Sequence, residues 1–302
     1  MNNVRISLTH GPGGENHRGM EIVGKKPVPG TGYTMEDLDV LNSKWNNSGF
    51  TTQLHDFGEG AGVLVVRNYA TNAECLEMWK EWNSFEWDKK LFDPNKDKRD
   101  DNGCKIIGDD GKPLKGRVMN KRARYNVVGA EGLKQEPEYS KGKGRIIDTN
   151  ELPVYKHVKS RLMTELREGL EGKSEKVVDD YITEGNLYYD PKKTYIGWHG
   201  DTERAEVVCL SLGGKNYPLR FCWFQHSKAI GEPTELLLNS GDLYIMSEKA
   251  VGADWKSRSL RTMRHSAGWH KNASVLPGKR KRKPKQVNKA TLNVRVAKRR
   301  LI

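Results

Sequence analysis

His199, Asp201 and His265 are the residues of this 302-residue chain whose types and spacing best suit chemistry. Side chains two apart on an extended segment point the same way. In Tyr195-Ile196-Gly197-Trp198-His199-Gly200-Asp201-Thr202 an imidazole and a carboxylate can therefore hold one face of a metal ion together. His265, within Met263-Arg264-His265-Ser266-Ala267-Gly268, can complete a set of two imidazoles and one carboxylate that leaves other metal positions open. An H-x-D triplet alone arises by chance in many chains of this length, and the order of its neighbours is what gives it weight. The bland alternative for His265 is an exposed histidine in a basic patch with Arg261 and Arg264. Its place on an expected strand favours ligation. The histidines at 10, 17, 55, 157, 226 and 270 lack such a context and read as surface or structural.

The elements that must position these ligands begin near residue 185, where short β-like runs alternate with turn signals. The runs are 186–189, 194–199, 206–212, 219–224, 235–238, 242–246, 261–266 and 290–296. Eight short strands in this order predict a jelly roll (double-stranded β-helix), so the fold class expected is α+β, mainly β. Upstream, 62–68 reads as a strand and three helices are expected. One spans 35–45 and is capped by Thr34. The second, 71–85, spaces Cys75, Met78, Trp79 and Trp82 by three or four, and the third, 152–170, places Val154, Val158, Leu162, Leu166 and Leu170 inward. The expected organisation is a partly irregular N-terminal extension over 1–58, a helix-rich support with a substrate lid over 59–182, and the core over 183–302. The Gly11-Pro12-Gly13-Gly14 cluster lacks the Gly-Lys-Ser/Thr of a phosphate loop.

Composition narrows the class further. The hydrophobic share is 35%, no apolar run approaches the ~20 residues of a membrane span, and the start lacks a signal-peptide pattern. Cys75, Cys104, Cys209 and Cys222 fit no zinc spacing and read as free thiols of a reducing, intracellular compartment. Of the 52 Lys and Arg behind the net charge of +13, 11 lie in 277–302, which holds no Asp or Glu. The rest of the chain carries 41 against 39 and is nearly neutral. Such a block, with a basic insertion at 278–285, is an electrostatic footprint for a polyanion or a nuclear-import signal, and the two are compatible. The expected state is a monomer with no membrane contact.

Together these residues resemble the AlkB-like branch of the Fe(II)/2-oxoglutarate-dependent dioxygenases. The likeness rests on Asn186-Leu187-Tyr188, His199-Gly200-Asp201, His265 and Lys289-x₅-Arg295, in that order, with Val207–Gly213 and 240–246 between them. The resemblance implies Fe(II) on His199, Asp201 and His265, with 2-oxoglutarate and O₂ as cosubstrates. It gives Asn186, Tyr188, Lys289 and Arg295 the cosubstrate; Tyr189 is the alternative to Tyr188, and Lys289 stands where the family has arginine. Glu203 matches an acidic residue that reads the amino edge of a flipped-out base, and its bland reading is solvated surface. Arg122, Arg124 and Tyr125, in the lid-like segment 117–128, would contact phosphate and base; a solvated basic hairpin is the alternative. Trp198 and Trp269 flank the ligands and are packing by default. The implied activity is oxidative demethylation of N-alkylated bases in DNA or RNA, single-stranded or flipped. The alternatives are the same chemistry on a protein side chain or a base carbon, or an inactive nucleic-acid-binding module.

Overall fold

Apolar and polar residues alternate in Arg5-Ile6-Ser7-Leu8-Thr9-His10, and this alternation builds the strand that joins the fold's layers. The structure, a computed structural model, describes residues 4–17, 19–171 and 181–277. Its first half contains β1 (Arg5–Gly11), β2 (Gly13–Glu15), β3 (Ile22–Gly24), α1 (Met35–Asn47), β4 (Thr51–Asp56), β5 (Gly62–Arg67) and α2 (Asn72–Trp82). There follow β6 (Lys90–Asp97), β7 (Lys115–Asn120), β8 (Tyr125–Ala130), β9 (Ile146–Asp148) and α3 (Pro153–Gly169). The second half runs β10 (Ile182–Tyr188), β11 (Ile196–His199), β12 (Val207–Gly213), β13 (Tyr217–Gln225), β14 (Lys228–Leu238) and β15 (Leu243–Met246). It ends with α4 (Glu248–Val251), β16 (Thr262–Ala267) and α5 (Lys271–Ser274).

Three layers result. A mixed eight-stranded sheet has the order β4-β5-β15-β12-β1-β10-β8-β9, and a four-stranded sheet the order β11-β16-β13-β14. Ile6, Leu8, Leu64, Val66 and Leu210 face the helical layer, where they meet Leu38, Met78, Trp82 and Leu162. Their strand neighbours Val63, Val65 and Cys209 belong to the other core, with Leu219, Phe221 and Met263 of the small sheet. The large sheet is thus apolar on both faces, which is why 62–66 reads as an unbroken hydrophobic run. β6–β7 and β2–β3 are separate two-stranded sheets.

The three expected helices form. Reciprocal capping boxes, Thr34 with Asp37 and Thr71 with Glu74, start α1 and α2. Pro153 opens α3, and the Glu81 carboxylate accepts from the backbone N–H groups of Val154 and Tyr155, both at 2.8 Å.

The jelly-roll expectation is corrected. Seven of the eight expected strands appear as β10–β16, while 290–296 lies outside the described residues, as do the basic insertion 278–285, Lys289 and Arg295. The seven do not close on themselves. β1, β4, β5, β8 and β9, all from the first 150 residues, join β10, β12 and β15 and extend them into an open sheet. Strands that were to form a closed core are instead divided between two sheets with free edges.

His10 fixes β1 to the neighbouring strand β12 and to the helical layer. Its Nδ1–H donates to the Val208 carbonyl at 2.9 Å, and its Nε2 accepts from the Tyr155 hydroxyl at 3.1 Å. Burial lowers its pKa from 6.5 to about 3. The folded pKa lies below the unfolded one, so the stabilisation is whole above pH 6.5 and is lost as pH falls towards 3, by several kcal/mol at full protonation. In urea titrations across this window, His10→Gln is expected to flatten the fall in stability, and a fall as steep as in the parent chain would refute the assignment.

Candidate metal centre

β11 and β16 pair antiparallel with His199 directly opposite His265, which sets their rings 4.4 Å apart between centroids. Asp201, two residues on, brings its carboxylate back to the same point. Its Oδ1 lies 3.3 Å from His199 Nε2 and 3.6 Å from His265 Nε2. One ligand atom from each residue lies within 4.8 Å of the other two, the one such grouping of three or more His, Cys, Asp or Glu among the described residues. Ligands about 2.1 Å from a metal and at right angles sit about 3 Å apart, so small adjustments suffice.

Backbone details hold this geometry. The Asp201 N–H donates to the Val251 carbonyl at 3.0 Å. A Cβ on Gly200 would lie 2.1 Å from the Gly252 carbonyl oxygen, so only glycine lets the loop after α4 approach between the two ligands. His199 Nδ1 sits 2.8 Å from the Gly197 carbonyl and 3.2 Å from that of His265. Carbonyls only accept, so Nδ1 carries a proton and Nε2 is the ring atom that faces the Asp201 carboxylate. Nε2 and a carboxylate oxygen at this distance need a positive centre between them, a second imidazole proton or a metal ion.

The charges agree. Burial alone would raise the Asp201 carboxyl, but hydrogen bonds from His199 and His265 and the nearby Arg204 outweigh it and hold the group well below the carboxylate range. Burial, and then the neighbouring His199, lowers the pKa of His265. Burial and the Asp201 charge raise Glu203 to about 7.

The triad opens into a cavity of about 440 Å³ lined by residues of the eight-stranded and four-stranded sheets. Of the remaining site residues expected from sequence, Asn186, Tyr188, Glu203 and Arg124 line it. Asn186 is engaged in the wall, where its Oδ1 accepts from Arg124 Nε at 2.6 Å and from Asn126 Nδ2. Tyr125 stacks on Tyr189 at 4.2 Å outside the cavity lining, and Arg122 is exposed. Trp198 packs near Phe224, and Trp269 meets Tyr217 edge-on. Sequence patterning missed Arg5, Glu184 and Arg204, all of which line the cavity. Only Arg5 left a signal, the alternation of 5–10.

The chain thus presents a three-layer α+β fold with a candidate metal centre between its sheets. No protein-family model matches it. It is similar to the uncharacterized protein R156 of Acanthamoeba polyphaga mimivirus, with 33% identity over 280 residues, 88% of this chain and 96% of that protein. The chain belongs to the same family as that protein.

The AlkB-like assignment is corrected with the fold on which it depended. The sheets are open and unclosed, and the Fe(II), 2-oxoglutarate and O₂ chemistry, the oxidoreductase activity and the base demethylation implied by a closed core are not supported. The local metal geometry does not depend on that closure. Calorimetric titration with Co(II) is expected to show one site, and His199→Ala and Asp201→Ala are each expected to remove saturable binding. Unchanged affinity in both variants would rule out the triad as the ligand set.

Proposed function

We propose that the chain binds a divalent transition metal through His199, Asp201 and His265 and, in the same cavity, a small oxyanion held by Arg5. The observation behind the second half is a buried guanidinium with bonding capacity to spare. Arg5 is fully buried, and its Nη1 has no hydrogen-bond partner. Its Nε donates to Ser7 Oγ at 3.2 Å, its Nη2 donates to Ser211 Oγ, and its guanidinium lies 4.2 Å from the centre of the Tyr217 ring. No carboxylate pairs with it among the described residues. A buried cation answered only by neutral groups is costly, and an oxyanion would supply the missing charge and acceptor. Trp255 Nε1, a donor without a partner on the same cavity wall, adds to the surplus. Two imidazoles and one carboxylate leave metal positions for an oxygen of the same ligand.

The test is binding of oxalate, sulfate and acetate to the Co(II)-loaded and metal-free protein, beside Arg5→Met. The substitution keeps the bulk and removes the charge, so the melting temperature is expected to hold or rise. Affinity for the preferred anion is expected to fall about tenfold or more. Equal anion affinity in the parent and Arg5→Met would reject the anion half of the reading.

A second reading, contact with single-stranded nucleic acid, is favoured by aromatic faces outside the cavity. Tyr125 stacks on Tyr189 at 4.2 Å and Tyr195 on His270 at 4.7 Å, and the Tyr195 N–H joins the two pairs by donating to the Ala123 carbonyl. Exposed Arg122, Lys192 and Lys271 lie on the same segments, and the 11 cations of 277–302 add charge. Stacking faces among cations suit unpaired bases and phosphates. Fluorescence anisotropy with a labelled oligothymidine is expected to show affinity falling with salt by about 0.7 log units per contacted phosphate per log unit. Tyr125→Ala is expected to weaken binding at every salt concentration. Salt-independent binding, or none, would exclude this partner.

A further inference from the structure

The two oxygens of Asp201 face different neighbours. Oδ1 lies between the imidazoles of His199 and His265, whereas Oδ2 lies 3.7 Å from Arg204 Nε. Arg204 is 3% exposed. Its Nη2 bonds Glu184 Oε2 and lies 3.3 Å from Glu203 Oε1. Glu184 stands on β10, where its other oxygen accepts from Asn186 Nδ2 at 3.1 Å. A line of charge and hydrogen bonds therefore runs from the ligand carboxylate, in the loop after β11, to the middle of the large sheet.

We propose that Arg204 is the positioning residue of the metal centre. It engages Oδ2, so the carboxylate meets the metal through Oδ1 alone, and it anchors that carboxylate to the large sheet through Glu184. A carboxylate free to turn could chelate with both oxygens and occupy a position that the site otherwise keeps open. Partners that orient ligating side chains commonly change metal affinity about 10- to 100-fold when removed. Arginine suits this place because its planar fork reaches two carboxylates at fixed angles, while lysine offers a single point charge. The inference rests on the metal reading given above.

The experiment titrates Co(II) into the full chain and into Arg204→Met, Arg204→Lys and Glu184→Gln, following both affinity and the visible absorption of the bound ion. Arg204→Met is expected to lose about 10- to 100-fold in affinity and to change the spectrum as a second oxygen enters coordination. Arg204→Lys should retain the fold, checked by its melting curve, yet recover only part of the affinity; it decides the matter if Arg204→Met does not fold. Glu184→Gln, which weakens the anchor and leaves the Arg204 charge, is expected to shift the spectrum in the same direction. Parental affinity and spectrum in a folded Arg204 variant overturn the positioning role while the metal site stands. No Co(II) binding by the parent chain overturns the metal reading and this inference with it.

Discussion

The arrangement of this protein depends on one strand, β1, lying between β10 and β12. Arg5 to Gly11 pair with Tyr188 to Ile182 on one side, and Arg5 to His10 with Gly213 to Val208 on the other. Without β1 the large sheet would split into two pieces, each with a raw edge of unpaired backbone groups. The same strand sends Ile6 and Leu8 into the helical core and Arg5, Ser7 and Thr9 to the cavity wall. Its partners lie far along the chain, Val208 being 198 positions from His10. Such pairings form only after long loops close, so the cavity is assembled by non-local contacts and not by any contiguous segment.

Strand alternation also explains how so many charges are tolerated in the interior. On β10, Glu184 and Asn186 share the cavity face, and charges there are expensive unless answered. Glu184 is answered by Arg204, Asn186 by Arg124, and Asp201 by two imidazoles and Arg204. Arg5 retains an unspent donor with no carboxylate beside it, and Trp255 Nε1 is a second donor without a partner on the same wall. Such unspent donors on a charged wall fit the oxyanion proposed above.

Much of this was legible in the sequence where the signal is local. Helix periodicity and caps gave α1, α2 and α3 nearly to their ends, and seven of eight strand segments were placed. The H-x-D triplet with a distal histidine located the triad. β1 was not legible because six alternating residues stand among Gly, Pro and Asn, and its two partners are remote. Arg204 and Glu184 carry no periodic signature; only tertiary pairing distinguishes them from solvated charges. The sheet assignment failed for a related reason. Strand counting after residue 185 cannot reveal that five strands from the first 150 residues will enter between and beside the later ones.

The divergence between the triad and the chemistry first inferred from it has a physical basis. Bringing His199, Asp201 and His265 together requires one antiparallel pair in the right register, a two-residue spacing and a glycine that admits a neighbouring loop. These demands are short-ranged and can be met on many sheets. A particular cosubstrate and reaction require more: cations and polar groups from other strands, placed by the closure of the whole core. Here the cavity cation without a carboxylate partner comes from β1, at the opposite end of the sequence from Lys289 and Arg295. Ligand order therefore supports metal binding, whereas the choice of ligand beside the metal follows from which side chains the open sheets bring to that cavity.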